Sequence, residues 1–158
     1  MSAAIEARAA KSSNRLAPAH SGFSAITLTP RQKRLIRESF QKLEPALDLV
    51  GQLFYLKLFR LDPAMRDRLG SDPKTQGRKF MAAVKLTIIS LNHEDGLAPT
   101  LKLLGVRHRQ LGIKSRHYRT MARALIWTLE QSLGKGFTRE TKDAWTALLS
   151  QLTRILTA

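Results

Sequence analysis

The sequence contains no cysteine and few acidic residues, with 12 Asp and Glu against 27 Lys and Arg and a net charge of +15. The absence of cysteine excludes disulfides, thiolate zinc sites, iron–sulfur clusters and cysteine nucleophiles. No apolar run approaches the roughly 18 residues that a membrane span needs. The excess of positive charge indicates an acidic partner of some kind, although it specifies no fold.

A length of 158 residues, 43% of them hydrophobic, is typical of one domain with a real core. Residues 1–28 are rich in alanine and serine and have no sustained apolar face, so we interpret them as a flexible tail. They contain no apolar segment followed by a cleavage site, and we expect the cytoplasm rather than secretion. The domain is predicted to occupy residues 29–158.

Helix start and stop signals recur after residue 28. Thr29, Pro30 and Gln32 form a capping-box pattern, and Ser115 and Thr138 are candidate N-caps. Apolar residues between these signals repeat with helical spacing, and no segment alternates with period two over a useful length. We therefore predict an all-α domain with helices near residues 30–43, 45–61, 63–68, 73–91, 98–110, 116–132 and 139–156.

His108 is the candidate with the clearest chemical potential. It follows Leu97, Leu101 and Leu104 at helical spacing, so its imidazole is predicted to point inward. Either a hydrogen-bonded core histidine or a single haem ligand fits this position, whereas a zinc site would need further ligands. His117 lies off the apolar stripe of its helix and is predicted to be at the surface.

Three other polar side chains occupy inward positions. Gln76 shares a helix face with Phe80 and Val84, Tyr55 lies in a nearly continuous apolar run, and Tyr118 precedes Met121 on an apolar stripe. An unpartnered buried amide or phenol costs on the order of 1–3 kcal/mol. Each group therefore either has a structural hydrogen-bond partner or serves a ligand.

Several short motifs, taken together, resemble those of globins. They are Leu53-Phe54-Tyr55-x-x-Leu58-Phe59, Gln76-x-Arg78-Lys79, Gly105-x-Arg107-His108-x-x-x-Gly112-Ile113, His117-Tyr118, and Gly136-Phe137-Thr138 running on to Ala144-Trp145. Among globins, the sequence is similar to bacterial single-domain types and flavohaemoglobin haem domains, above all to the Hell's Gate type. The resemblance covers about residues 29–157 and implies a globin fold of about seven helices around a haem pocket.

The resemblance also implies individual roles and a ligand class. His108 corresponds to the proximal ligand of haem b iron, Tyr55 and Gln76 to the distal pair that faces O2, NO or CO, and Tyr118 to a proximal hydrogen-bond partner of the histidine. Tyr55, Gln76 and Tyr118 are the catalytic candidates that the resemblance implies. The expected haem-contacting set comprises His108 and Tyr118 together with Phe54, Leu58, Leu69, Phe80, Val84, Leu104, Arg107, Ile113, Met121 and Leu125. Leu69 departs from the family, because globins usually have a phenylalanine there that packs on the porphyrin.

The basic segment 102–123 contains seven Lys and Arg residues and no acid. It is either a solvated cationic face, a source of partners for the haem propionates such as Arg107, or a docking face for an acidic reductase. Nucleic acid is disfavoured because no aromatic residues are interleaved with a basic segment.

The resemblance favours an oxygen-binding globin that converts nitric oxide to nitrate. The sequence ends at Ala158 without a reductase domain, so such an activity would use an external electron donor. The alternative is a gas-sensing or interaction globin whose basic face binds an acidic protein. Leu69 also leaves open a helical domain without haem.

Overall fold

The computed structural model describes residues 26–70 and 72–158, with the backbone alone for residues 94–96. Every regular element in these ranges is helical, so the all-α prediction is confirmed. The α-helices are α1 (Pro30–Leu43), α2 (Leu47–Leu61), α3 (Met65–Leu69), α4 (Pro73–Ile89), α5 (Glu94–Gln110), α6 (Ser115–Leu133) and α7 (Arg139–Leu156). Single 3-10 turns follow α1, α4 and α6, at Glu44–Ala46, Ser90–Asn92 and Gly134–Gly136. None of these helices is long and apolar enough to cross a bilayer.

The sequence signals locate several helix ends correctly. The Thr29 hydroxyl accepts a hydrogen bond from the Gln32 amide at 3.1 Å, and the Gln32 side chain accepts one from the Thr29 amide at 2.9 Å. Thr138 caps α7 in a similar way, by accepting from the Thr141 amide at 3.2 Å. The backbone φ of Gly112 is +76° and that of Gly134 is +53°, the left-handed region that glycine enters with little strain.

Three predictions near the helix starts are wrong. Helix α5 begins at Glu94 rather than near residue 98, with Pro99 inside it. Proline already has a helical φ, and near the beginning of a helix it removes only one intrahelical hydrogen bond. His117 is buried, at 2% exposure, because its Nδ1 accepts a 2.7 Å hydrogen bond from the Lys114 amide. This ring, and not Ser115, caps α6.

The first helix is fixed to the last by a polar contact inside the core. The Trp145 indole N–H donates to the Ser39 hydroxyl at 2.9 Å, and that hydroxyl donates to the Leu35 carbonyl at 2.7 Å. Because both polar groups are satisfied, the large Trp145 ring is buried without an unsatisfied donor. At the surface, Arg31 of α1 forms an ion pair with Glu140 of α7.

The packed part of the chain starts earlier than the predicted boundary at residues 28 and 29. Ile26 and Leu28 are buried in the core, and between them the backbone of Thr27 is held by Gln151 of α7. The Gln151 side chain accepts from the Thr27 amide and donates to the Thr27 carbonyl, so it pairs with both backbone groups. Residues 1–25 of the predicted tail lie outside the described residues.

Candidate functional site

A cavity of about 580 Å³ is lined by residues of α4, α5, α6 and α7, together with Tyr55 of α2 and the C-terminal end of α3. This volume falls within the roughly 300–1,000 Å³ of small-molecule and cofactor sites, and the walls are predominantly apolar. The structure brings ten of the predicted site residues together around it: Tyr55, Leu69, Gln76, Phe80, Val84, Leu104, His108, Tyr118, Met121 and Leu125.

The other four predicted residues do not line the cavity. Phe54 lies one layer behind it, stacked on the Phe80 ring at a centroid distance of 4.0 Å and an angle of 7°. Leu58 and Ile113 are buried in the core, and the Ile113 amide donates to the His108 carbonyl at 2.9 Å. Arg107 is exposed. The basic segment 102–123 is divided between α5 and α6 by the turn at Gly112.

His108 and Tyr118 form a hydrogen-bonded pair between α5 and α6. The His108 Nδ1 and the Tyr118 hydroxyl are 2.7 Å apart, and both residues line the cavity. This contact occupies Nδ1, and no described residue forms a hydrogen bond with the other ring nitrogen, Nε2. Burial lowers the pKa of His108, which favours the neutral imidazole that binds metals. The described residues contain no group of three or more His, Asp and Glu side chains that could hold a metal ion.

Tyr55 brings a phenol to the cavity from α2. The side chain is buried at 5% exposure, and its ring forms T-shaped contacts with the rings of Phe54 and Phe59. Burial raises its pKa to about 12, so the hydroxyl keeps its proton at neutral pH. No described residue forms a hydrogen bond with this hydroxyl, which leaves the O–H available to a molecule in the cavity.

Gln76 adds an amide from the first turn of α4. Its backbone is fixed by the N-cap Asp72, whose carbonyl accepts from the Gln76 amide at 3.0 Å. A Cβ on residue 70 would lie 2.9 Å from the Gln76 Nε2, so a side chain at Gly70 would crowd the amide. The Gly70 φ of +94° also favours glycine at this position. The side-chain amide is half-buried and, among the described residues, has no hydrogen-bond partner. Tyr55 and Gln76 thus provide two free donors in one cavity.

Two cationic residues and one wall of this site were not among the predicted site residues. Arg68 and Lys79 line the cavity, and the Arg68 guanidinium donates to the carbonyls of Leu111 and Gly112 at 3.3 and 3.1 Å. Lys79 follows Gln76 at i+3, so helical spacing already placed it near that face. The missed wall consists of residues of α7: Trp145, Leu148, Leu149, Leu152, Thr153 and Leu156.

An all-α domain with an apolar cavity, a histidine in the cavity wall and free donors nearby is typical of a helical cofactor-binding domain. A family model described as Globin matches residues 54–156. The chain therefore belongs to the globin family, and the predicted fold is confirmed.

Similar proteins include flavohemoproteins and neuroglobins. The chain is 24% identical over 132 residues to a flavohemoprotein of Bordetella parapertussis, covering 82% of this chain and 33% of that protein. It thus spans about a third of the length of the flavohemoprotein. Neuroglobin-1 of Oncorhynchus mykiss is 26% identical over 132 residues, which cover 75% of this chain and 83% of that protein.

A solved structure agrees on the fold. A hexacoordinated heme protein from an anhydrobiotic tardigrade superposes with a TM-score of 0.74 at 20% sequence identity. The match covers 83% of this chain and 94% of that chain. At this level of identity the likeness establishes the helical arrangement alone.

Proposed function

We propose that this globin binds haem b in the cavity through His108, and that O2, NO or CO binds beside Tyr55 and Gln76. The observation that carries the proposal is the composition of a single cavity. It combines an imidazole whose Nδ1 is already hydrogen-bonded with two polar donors that have no partner among the described residues. Membership in the globin family supports the same cofactor.

The residues present fit such a group in shape and chemistry. The apolar lining suits a porphyrin, whose flat surface needs to be kept from water. Arg68 and Lys79 are the cationic residues of the lining, and their N–H groups suit the two carboxylates that a haem carries. His108 would be the iron ligand through Nε2, because Nδ1 is engaged by Tyr118.

Bound haem would supply an iron that takes a diatomic gas and exchanges single electrons. Tyr118 would fix the His108 ring and its tautomer, since Nδ1–H donates to the phenol oxygen when Nε2 is the ligand. Such a hydrogen bond increases the basicity of the imidazole and favours oxidative chemistry over simple carriage.

Tyr55 and Gln76 would hold the gas molecule. Hydrogen bonds to an acceptor that carries negative charge contribute about 1.5–3 kcal/mol each, which slows oxygen loss by one or two decades. The raised pKa of Tyr55 keeps its O–H a donor throughout the neutral range. Phe80, Val84 and Met121 line the same cavity and would exclude water from it.

The activity that suits these residues is dioxygenation of nitric oxide, in which O2, NO and one electron give nitrate. The chain's own residues would hold O2 while NO enters, and an external reductase would supply the electron. The flavohemoprotein likeness supports this activity, although the chain corresponds to only a third of such a protein.

The experiment that tests the distal role compares oxygen dissociation from the wild type and from Tyr55→Phe. Loss of the phenol O–H is expected to speed dissociation at least several-fold, because about 1.5–3 kcal/mol of hydrogen bonding disappears. As a control, the iron–histidine stretching frequency of Tyr55→Phe should match that of the wild type, because His108 is hydrogen-bonded to Tyr118 and not to Tyr55. An unchanged rate in Tyr55→Phe would remove Tyr55 from the distal role.

A further inference from the structure

The outward face of α5 exposes an apolar row. Pro99, Leu103 and Val106 follow one another at i, i+4 and i+7, so they lie on one side of the helix. Leu103 is 64% exposed and Val106 is 41% exposed. The opposite side of the helix packs against the core with Leu97 and Leu101, which are both buried. The row therefore contributes nothing to the core.

Positive charge borders this row. Arg107 and Arg109 are exposed beside Val106, and Arg109 also lies against the C-terminal end of α7, 3.5 Å from the Leu156 carbonyl. The sequence has no acidic residue between Asp95 and Glu130. An apolar centre with a charged rim is the usual composition of a protein–protein contact surface.

The same helix separates this surface from the cavity. Leu101, Leu104 and His108 line the cavity from the inner side of α5, whereas Leu103, Val106 and Arg107 lie on its outer side. A partner seated on the outer face would therefore be about one helix diameter, roughly 10 Å, from the cavity.

We propose that the outer face of α5 docks an acidic protein that donates single electrons to this globin. The inference rests on the proposed function, for which it identifies the surface that receives the external donor. At each encounter one electron leaves the reduced donor and enters the globin, and no bond forms or breaks between the two proteins. A narrow patch suits this purpose, since electron-transfer complexes bury little surface and dissociate readily.

The composition of the face disfavours other partners. A second copy would bring the same arginines against one another, which costs free energy. Residues 97–111 contain no Phe, Tyr or Trp. Single-stranded nucleic acid is held largely by stacking on aromatic residues, and membrane surfaces are typically anchored by Trp and Tyr. An acidic protein with a small apolar centre complements both the row and its rim.

The test measures binding of an acidic flavodoxin to the full-length holoprotein by flavin fluorescence anisotropy at low salt. Leu103→Asp is expected to weaken binding about tenfold, as loss of an apolar interface anchor does. Leu49→Asp is its matched control, because Leu49 is 68% exposed on another helix, α2. Arg107→Glu should slow association about tenfold, and Arg34→Glu on α1 should have less effect.

A second readout is the rate at which reduced flavodoxin reduces the holoprotein. The two α5 variants should lower it in proportion to binding and leave the rate with dithionite unchanged. Oxidised flavodoxin binds without any electron transfer. Its binding therefore tests docking on the outer face of α5 independently of the proposed haem function. If haem loading is normal but flavodoxin does not bind, the docking inference alone is overturned. The same holds if flavodoxin binding is unchanged by the substitutions of Leu103 and Arg107.

Three further outcomes would also contradict the assignment. The first is a wild-type dimer in ultracentrifugation that Leu103→Asp dissociates. The second is binding to phosphatidylserine vesicles, and the third is binding to single-stranded DNA. In both cases Leu103→Asp would abolish that binding and leave flavodoxin binding unchanged. Each would assign the α5 face to a different partner.

Discussion

Gly51 of α2 lies directly against Gly77 of α4, so the two helices cross backbone to backbone. A Cβ on Gly51 would be 2.6 Å from the Gly77 carbonyl oxygen, and a Cβ on Gly77 would be 2.6 Å from the Gly51 carbonyl oxygen. Tyr55 comes one turn after Gly51, and Gln76 immediately precedes Gly77. The glycine contact therefore sets how close the two distal candidates come to each other.

We expect Gly77→Ala to destabilise the protein by roughly 1–3 kcal/mol, because the added methyl group has to force two helix backbones apart. Urea unfolding of the wild type and the variant measures the change. Gly136→Ala is the control, since a Cβ there would meet only the Lys42 amine at 3.7 Å. Equal unfolding midpoints for Gly77→Ala and the wild type would show that the helix crossing accommodates the added methyl group without strain.

Tyr118→Phe is expected to lower the iron–histidine stretching frequency of the reduced holoprotein in resonance Raman spectra. The substitution removes the phenol oxygen 2.7 Å from Nδ1, and His108 becomes a weaker electron donor to the iron. Tyr55→Phe removes a phenol without touching His108 and should leave this frequency in place. A frequency that does not respond to Tyr118→Phe would exclude a proximal role for the hydrogen bond.

We expect His117 to make the stability of the protein depend on pH. Burial, together with Arg116, Arg68 and Lys114, lowers its pKa in the folded protein, although Asp62 at 3.9 Å acts in the opposite direction. The unfolded chain, with a histidine pKa of about 6.5, then binds the proton more readily than the folded protein. The stabilising effect of neutral His117 is therefore complete above about pH 6.5 and is lost as the pH falls through the folded pKa.

Urea unfolding between pH 5 and 7.5 tests this dependence. In His117→Gln the loss of stability at low pH should shrink, because glutamine at this position can still cap the helix but does not titrate. His93→Gln, at an exposed position, should retain the wild-type pH profile. A His117→Gln profile that matches the wild type would mean that another group governs the dependence.

Helical spacing and helix caps were sufficient to predict most of the fold. The positions of Tyr55, Gln76 and His108 in a single cavity followed from the resemblance and the inward faces of their helices. Features that depend on contacts between distant segments were not predictable. The hydrogen bond of His117 reverses its expected exposure, and Gln151 holds the backbone of Thr27 from the far end of the chain. Arg68 reaches the cavity because its guanidinium is fixed by two carbonyls more than forty positions away in sequence.

The central claim is that the cavity binds haem through His108, and the absorption spectrum of the purified holoprotein tests it most directly. The wild type should show a Soret band typical of histidine-ligated haem, and His108→Gly should lose or shift it. Added imidazole should restore the band by filling the space of the missing ring, and His93→Gly should match the wild type throughout. A His108→Gly spectrum that is indistinguishable from that of the wild type would contradict the account.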